Sequence, residues 1–189
     1  MTTVRDEEFR RYVLERRGEL IRSATLLTAG DRHLAEDLVQ STLTQLYLAW
    51  PAFQRAANPA AYARRSLVNA LVDEKRRPWR RREHTTADLP ETVTPVPVSS
   101  TAAERVNLAL AQLPTRMRAA VVLRYFHDLS VAETADALGC TQGTVKSQTA
   151  RALDRLRLVL GPEAVESHDS ALITASPVSG DQPLRTSHV

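Results

Sequence analysis

Apolar residues recur at spacings of three and four over most of the chain, and this spacing predicts α-helices. The first predicted helix runs from about Asp6 to Thr28 and is stopped by Gly30. Its apolar stripe consists of Phe9, Val13, Leu20, Ala24 and Leu27. Alternating apolar and polar runs bounded by turn residues, which are typical of strands, are scarce. We therefore expect an all-α protein.

Two further helices are predicted in the first half of the chain. The second follows Asp31, a suitable N-cap, and ends at Pro51. Its apolar side carries Ala35, Leu38, Val39, Leu46 and Trp50, and its polar side carries Asp37, Gln40, Ser41 and Thr44. The third begins with Asn58 as N-cap and Pro59 at the first helical position, and it continues to Pro78. Its apolar residues are Leu67, Val68, Leu71 and Val72.

The helical spacing is interrupted at residues 82–101, where proline, serine and threonine are frequent. We interpret this segment as a flexible linker between two small helical domains. The first domain comprises residues 5–81, and the second comprises residues 102–161. Residues 162–189 lack periodicity and are rich in serine and proline, which predicts a disordered tail.

The second domain contains two short helices joined by a tight turn. Ser130 is a suitable cap for the first helix, Gly139 suits a left-handed turn, and Thr141 suits the cap of the second helix. The inward stripe of the first helix consists of Val131, Ala135 and Leu138. This arrangement is typical of a helix-turn-helix.

The second helix of this pair has one face that packs and one polar face. The packing side is formed by Val145, Thr149, Ala152 and Leu156. The polar side presents Thr144, Ser147, Gln148, Arg151 and Arg155, with Lys146 to one side. Such a face suits entry into the major groove of DNA, although an ordinary solvated helix has the same pattern. Gly143 lies in the first turn, where the absence of a side chain would leave room for DNA.

A basic run follows the start of the third helix. Its cations are Arg64, Arg65, Lys75, Arg76, Arg77, Arg80, Arg81 and Arg82, and Tyr62 and Trp79 are interleaved with them. The run suits a phosphate backbone with aromatic stacking on bases, and cations at a helix C-terminus are the alternative interpretation. Asn69 is a polar residue among apolar ones, either a half-buried amide or a group directed at a base edge.

Composition argues against an enzyme. The net charge is only +3, and the single cysteine, Cys140, excludes an internal disulfide and a multi-cysteine zinc site. Cys140 suits the filling of a small apolar gap better than a reactive role. The five histidines are scattered, and no phosphate-binding glycine loop or nucleophile motif occurs. We expect no catalytic residue, metal, cofactor or small-molecule substrate. The charged N-terminus and the lack of a long apolar run predict a cytoplasmic protein without membrane insertion.

The motif AEDLVQ in the first domain and LSVAETADALGCTQGTVKSQTARAL in the second resemble the sigma-70 family of bacterial transcription initiation factors. The resemblance covers about residues 9–160 and is greatest to the compact extracytoplasmic-function group, in its actinobacterial SigE-like form. It implies a protein with sigma regions 2 and 4 that binds core RNA polymerase and promoter DNA. It also implies contacts with the beta-prime clamp helices and the beta flap, and makes an anti-sigma factor a candidate partner.

The resemblance implies a role for each matching residue. Asp37 and Gln40 match positions that dock on the clamp helices, and Ser41 stands where relatives usually carry an acidic residue. Phe53, in the loop before Asn58, and Asn69 match the pocket for a flipped base of the minus-ten element, for which stacking and hydrogen bonds offset the cost of flipping. The backbone-binding cations would be Arg64, Arg65, Lys75, Arg76 and Arg77. The minus-thirty-five contacts would be Thr144, Lys146, Ser147 and Arg151, with Gln148 in place of a frequent arginine.

The sequence therefore favours a sigma factor that reads the minus-ten element with region 2 and the minus-thirty-five element with region 4. The alternative is a free-standing helix-turn-helix regulator, which would bind duplex DNA without polymerase.

Overall fold

A computed structural model describes residues 4–76 and 101–161 of the protein. Within these two ranges the chain is helical and contains no strand, which confirms the all-α prediction. The N-terminal half, residues 4–76, contains α1 (Val4–Leu27), α2 (Arg32–Leu48), α3 (Trp50–Gln54) and α4 (Pro59–Arg76). The C-terminal half, residues 101–161, contains α5 (Ala102–Ala111), α6 (Thr115–Val121), a π-helical segment (Val122–Phe126), α7 (Val131–Leu138) and α8 (Gln142–Leu160). Most of the predicted linker and the predicted tail lie outside the described residues.

Side-chain caps define the starts of two N-terminal helices. The carboxylate of Asp31 accepts a hydrogen bond of 3.0 Å from the backbone N–H of Leu34, and this bond starts α2. The amide oxygen of Asn58 accepts one of 2.9 Å from the N–H of Ala61 and starts α4. Each cap satisfies a backbone N–H that has no partner within the helix. Both predicted caps are confirmed.

The second helix is shorter than the sequence predicts. It ends at Leu48, and Pro51 belongs to the separate short helix α3. Proline is compatible with the first turn of a helix because its missing N–H has no helical partner there. Trp50 and Phe53 of α3 are both buried. The prediction that the helix ends at Pro51 is therefore wrong, and Phe53 lies in a helix rather than in a loop.

An aromatic cluster holds α3 against the first turns of α1. The ring of Phe9 meets the rings of Tyr47 and Trp50 edge-on, with centroids 5.0 and 5.2 Å apart. The hydroxyl of Tyr47 donates a hydrogen bond of 2.6 Å to the carboxylate of Asp6. Edge-to-face aromatic pairs add to the stabilisation from area burial. The first turns of α1 are therefore packed onto the end of α2 and the start of α3.

The two halves pack against each other. One buried apolar cluster includes residues of α1, α2 and α4 together with residues of α5, α6 and α8. In addition, α7 lies against α4, and α1 contacts both α6 and the π-helical segment. At the α1–α2 turn, Gly30 adopts φ +90°, and a Cβ atom there would approach the Cβ of Asn107 in α5 to 3.2 Å. Both the conformation and the close approach thus favour glycine at this turn.

None of the helices in residues 4–76 and 101–161 has the length and apolarity needed to cross a membrane.

Candidate nucleic-acid interface

The helix-turn-helix forms as the sequence predicts. A capping box starts α7, in which Ser130 Oγ accepts from the N–H of Glu133 at 3.2 Å and Glu133 Oε2 accepts from the N–H of Ser130 at 2.8 Å. Gly139 ends the helix with φ 60°, in the left-handed region that favours glycine. Thr141 caps α8 by accepting from the N–H of Thr144 at 3.2 Å. The turn between the two helices is therefore rigidly defined.

The capping bonds also hold Glu133 in its charged form. Hydrogen bonds from Ser130 lower the pKa of the Glu133 carboxyl, and the positive charge of Arg64 in α4 acts in the same direction. The carboxylate thus contributes a negative charge at the start of α7, on the side of that helix that lies near α4.

On α8, the predicted packing face is buried at Val145, Ala152 and Leu156 and half-buried at Thr149. The predicted reading residues divide into two groups. Lys146, Ser147 and Arg151 are exposed, whereas Thr144 and Gln148 are half-buried. Lys146, Ser147 and Arg151 are therefore the predicted DNA-reading residues that are accessible to solvent while the two halves are packed together.

Two hydroxyl groups of the predicted reading surface are engaged within α8. The hydroxyls of Thr141 and Thr144 lie 2.9 Å apart in a hydrogen bond. The Ser147 hydroxyl donates to the backbone carbonyl of Thr144 at 3.0 Å. A hydroxyl can rotate to a new partner, so these bonds leave both groups available as acceptors for DNA.

The predicted minus-ten residues are spread over two sides of α4 and over α3. Arg65 and Asn69 are exposed on α4. Arg64 is half-buried, and its Nε is buried without a hydrogen-bond partner among the described residues. The side chains of Lys75 and Arg76, and the whole of Arg77, lie outside the described residues.

Phe53 is not positioned to stack on a base in this arrangement. Its side chain is only 3% exposed and lies in the aromatic cluster of the N-terminal half. Its ring stacks on Trp50 with centroids 5.1 Å apart and meets Tyr12 and Tyr62 edge-on at 5.0 and 5.8 Å. The sequence analysis placed Phe53 in a loop. It could not show that these aromatic neighbours surround the side chain in the folded chain.

The predicted polymerase-binding residues share one exposed side of α2. Asp37, Gln40 and Ser41 are all exposed. Gln40 and Ser41 follow Asp37 by three and four positions, so they lie one turn beyond it on the same side of the helix. The opposite side of α2 is buried through Leu34, Ala35, Leu38, Val39, Thr42 and Leu46. The helix is thus anchored by one face and presents the other to solvent.

The structure also reveals a feature that the sequence analysis did not identify, a titratable group between the two halves. His127, at the end of the π-helical segment, lines a cavity of about 210 Å³ together with Tyr12, Glu19 and Arg64. The pKa of His127 is lowered to about 4, chiefly by burial and also by the charge of Arg64, while the charge of Glu19 opposes the shift. The imidazole is therefore neutral at physiological pH.

In the part of the chain that the structure describes, no cluster of His, Cys, Asp and Glu side chains is placed to hold a metal ion. Cys140 is half-buried beside α4 and contributes to a small apolar recess with Val68 and Val72.

Comparison with known proteins identifies both halves. Residues 13–81 match the family profile for sigma-70 region 2, and residues 103–156 match that for sigma-70, region 4. The RNA polymerase sigma-E factor of Streptomyces coelicolor is 37% identical over 158 residues, which cover 79% of this chain and 84% of that protein. The ECF RNA polymerase sigma factor SigM of Mycobacterium tuberculosis is 36% identical over 159 residues, covering 82% of this chain and 76% of that protein.

Solved structures give the same assignment of fold. The sigma factor RpoE of Bartonella quintana, solved in complex with the anti-sigma factor NepR, matches with a TM-score of 0.63 and 25% identity. The match covers 90% of this chain and 99% of that one. CnrH, solved with the cytosolic domain of CnrY, matches with a TM-score of 0.53 at 23% identity and covers 89% of each chain. The helical arrangement of both halves is thus one seen in experimental structures.

Proposed function

Because this chain belongs to the extracytoplasmic-function group of the sigma-70 family of RNA polymerase sigma factors, we propose that it binds core polymerase through α2 and reads promoter DNA with α4 and α8. Sigma factors are transcription initiation factors rather than enzymes, and we infer no catalytic residue in this chain. Its site of action would be the cytoplasm, where polymerase meets the chromosome.

The observation that carries this proposal is the order of two DNA-reading elements. A match to region 2 is followed by a match to region 4, and each contains exposed cationic or amide groups on a helix. These groups are Arg65 and Asn69 on α4, and Lys146 and Arg151 on α8. A free-standing regulator needs only the second element, so the presence of the first favours the sigma factor.

The minus-ten element would be read by α4 during strand opening. Asn69 offers both a donor and an acceptor to a base, and Arg65 offers a charge to the backbone. Arg64, Lys75, Arg76 and Arg77 would extend the contact along the strand. A base that leaves the stack must be compensated by such contacts, because flipping costs a few kcal/mol.

The minus-thirty-five element would be read by the first half of α8 in the major groove. The long cationic side chains of Lys146 and Arg151 are suited to phosphates or to guanine edges. Thr144, Ser147 and Gln148 are the shorter groups of the same face, close enough to the helix N-terminus for direct contact with bases.

The assignment to the sigma factor family also suggests which proteins this chain would bind. The polar side of α2, formed by Asp37, Gln40 and Ser41, would dock on the beta-prime clamp helices, and the C-terminal half would dock on the beta flap. An anti-sigma factor is a further candidate partner, since the similar Bartonella quintana protein was solved in complex with one.

Transcription in vitro tests the function. Purified protein added to core polymerase is expected to start specific transcripts from a set of genomic promoters. The free-standing regulator is the better description if no specific start appears while the protein alone binds duplex DNA tightly.

Alanine at Lys146 or Arg151 is expected to weaken promoter recognition by about 1–3 kcal/mol at particular base positions. The measurement is binding of holoenzyme to duplexes with single base changes in the minus-thirty-five element. Arg157→Ala is the matched control, because Arg157 is exposed on the same helix, paired with Asp154 at 2.9 Å, and about three turns beyond Lys146. An equal loss on scrambled DNA would argue against direct reading of bases.

Gly143→Ala is expected to leave the fold intact yet impair minus-thirty-five binding. A Cβ atom at Gly143 would meet only Thr141 Oγ1, at 3.8 Å, so no intramolecular contact requires glycine. Alanine should therefore add up to about 0.5–1 kcal/mol of stability through helix propensity. Gly18→Ala in α1 is the matched control, since its Cβ meets only Arg22 at 3.7 Å. Both variants are compared by thermal melting and by duplex binding. Unchanged binding by Gly143→Ala contradicts a close approach of DNA.

A further inference from the structure

We propose that Glu8, in the second turn of α1, is a positioning residue for reading of the minus-ten element. Its carboxylate holds the short helix α3, and α3 sets the position of residues 55–58 and of the first turns of α4. The role in DNA reading rests on the proposed function. The holding of α3 is a property of the chain that needs neither polymerase nor DNA.

The helix α3 is too short to be stable through its own hydrogen bonds. It spans Trp50–Gln54, and its N-cap residue is Ala49, whose methyl group cannot accept a hydrogen bond. Starting a helix fixes several dihedral angles for a single hydrogen bond, so a helix of this length depends on the surrounding structure. The position of α3 is therefore decided by the residues that contact it.

Glu8 contacts both ends of α3 through one oxygen atom. Its Oε2 accepts a hydrogen bond of 2.8 Å from Gln54 Nε2, at the last residue of α3. The same oxygen accepts a longer one, of 3.5 Å, from Trp50 Nε1, at the first residue. Hydrogen bonds to a carboxylate are stronger than those between neutral groups, and the second bond satisfies the N–H of a buried indole. One side chain thus ties the whole length of α3 to α1.

The first turn of α1 is itself held in place beside Glu8. Arg5 donates a hydrogen bond to the backbone carbonyl of Tyr47, and its guanidinium carbon lies 4.2 Å from the centre of the Tyr47 ring. Together with the bond from the Tyr47 hydroxyl to Asp6, these contacts hold the start of α1 on the end of α2, directly before α3. The carboxylate of Glu8 therefore has a defined position relative to α2.

A short segment connects α3 to the start of α4. The N–H of Ala56 donates to the carbonyl of Phe53 at 3.1 Å, so the segment continues directly from the last turn of α3. At the other end of the segment Asn58 caps α4. Ala56 and Asn58 line one side of a recess of about 250 Å³, together with Tyr62 and Arg65 of α4. A shift of α3 would therefore move this segment relative to a cation that is proposed to hold the minus-ten strand.

The contacts of Glu8 start outside the segment that identifies the family. The match to sigma-70 region 2 begins at residue 13, after Arg5, Asp6 and Glu8. The family assignment therefore gives no role to these three side chains. Their partners on α2 and α3 lie within the match, so the first turns of α1 support region 2 from outside the matched segment.

A swap of the two side chains tests this contact in the full chain. Gln54→Glu places a second carboxylate against Glu8, so repulsion replaces the hydrogen bond. The swapped variant combines Glu8→Gln with Gln54→Glu. It restores a bond in which the amide donates to the carboxylate, and it leaves the net charge of the chain unchanged. Gln45→Glu is the matched control for the added charge, because Gln45 is exposed on α2.

Hydrogen exchange without polymerase or DNA measures the holding of α3. The N–H groups of Ala52 and Phe53 donate to the carbonyl of Ala49, both at 2.9 Å, so they exchange when α3 opens. We expect them to exchange about fivefold faster in Gln54→Glu than in the wild type or Gln45→Glu, the upper range for one exposed charged pair. The swapped variant should exchange at the wild-type rate. Equal exchange in all four proteins overturns the holding of α3.

Promoter opening measures the positioning role, through the reactivity of unpaired thymines with permanganate. On promoters that the wild-type holoenzyme uses, Gln54→Glu should open the minus-ten element about fivefold more slowly, and the swapped variant should open it at the wild-type rate. Binding to core polymerase and to a duplex that carries only the minus-thirty-five element should be unchanged, because α2 and α8 keep their positions. A general loss of folded protein would lower all three.

The holding of α3 and its role in DNA reading fail by different results. Faster exchange with unchanged or faster opening overturns the positioning role. Slow opening that the swapped variant does not restore means that Gln54 itself contacts DNA or polymerase, and this also overturns it. If thermal melting shows that Gln54→Glu is unfolded, Gln54→Ala removes the bond without repulsion and should act in the same direction. If the wild type starts no transcript, the proposed function fails and the positioning role with it, while hydrogen exchange still decides whether Glu8 holds α3.

Discussion

A chain carrying Asp37→Ala and Gln40→Ala is expected to lose holoenzyme formation while keeping its fold. Both side chains are exposed on α2, and the buried side of the helix is unchanged by the substitutions. Truncation of a central interface residue costs about 2 kcal/mol or more, so two together should weaken core binding about a thousandfold. The measurement is co-purification with core polymerase, supported by a titration of labelled protein.

The matched control for this pair is Glu36→Ala with Gln45→Ala. These residues have the same chemistry, an acid and an amide, and are exposed on the same helix. The control should bind core polymerase like the wild type, and both chains should melt at the same temperature. Undiminished co-purification of the Asp37 and Gln40 variant would remove these residues from the polymerase interface.

The second large effect is expected at Phe53, where the structure and the family resemblance imply different roles. The side chain is buried among Tyr12, Trp50 and Tyr62. Phe53→Ala should therefore lower the free energy of unfolding by about 3–5 kcal/mol through lost burial and the cavity left behind. Urea unfolding measures this loss.

Phe53→Leu separates packing from base recognition. Leucine retains most of the apolar volume, so the loss of stability should be less than about 1.5 kcal/mol. If Phe53 acts only in packing, this variant transcribes at close to the wild-type level. If it fails to open promoters while remaining folded, Phe53 contacts the flipped base, and α3 must rearrange on DNA.

The starts of four helices could be predicted from the sequence because N-terminal caps depend on local chemistry. Asp31, Asn58, Ser130 and Thr141 each satisfy N–H groups within three residues, whatever lies around them. The left-handed turn at Gly139 is equally local. The helix-turn-helix could be predicted from these caps and this turn. The packing face of α8 could be predicted because helical periodicity places its apolar residues on one side of the helix.

The burial of Phe53 was not predictable in the same way. Its aromatic neighbours come from α1, from the start of α3 and from α4, so only the folded chain brings them together. The boundary between α2 and α3 was also misjudged, because a proline suits the end of one helix and the first turn of the next equally well.

The sequence by itself determined the starts of α2, α4, α7 and α8 and the polar sides of α2 and α8, because these depend on interactions over one or two turns. The tertiary structure decided which apolar residue of α4 packs on which half. Val68 and Leu71 are equally apolar and only three positions apart, yet they are buried in different clusters. Helical periodicity defines a stripe but not its partner, and here the partner comes from the far side of residues 77–100.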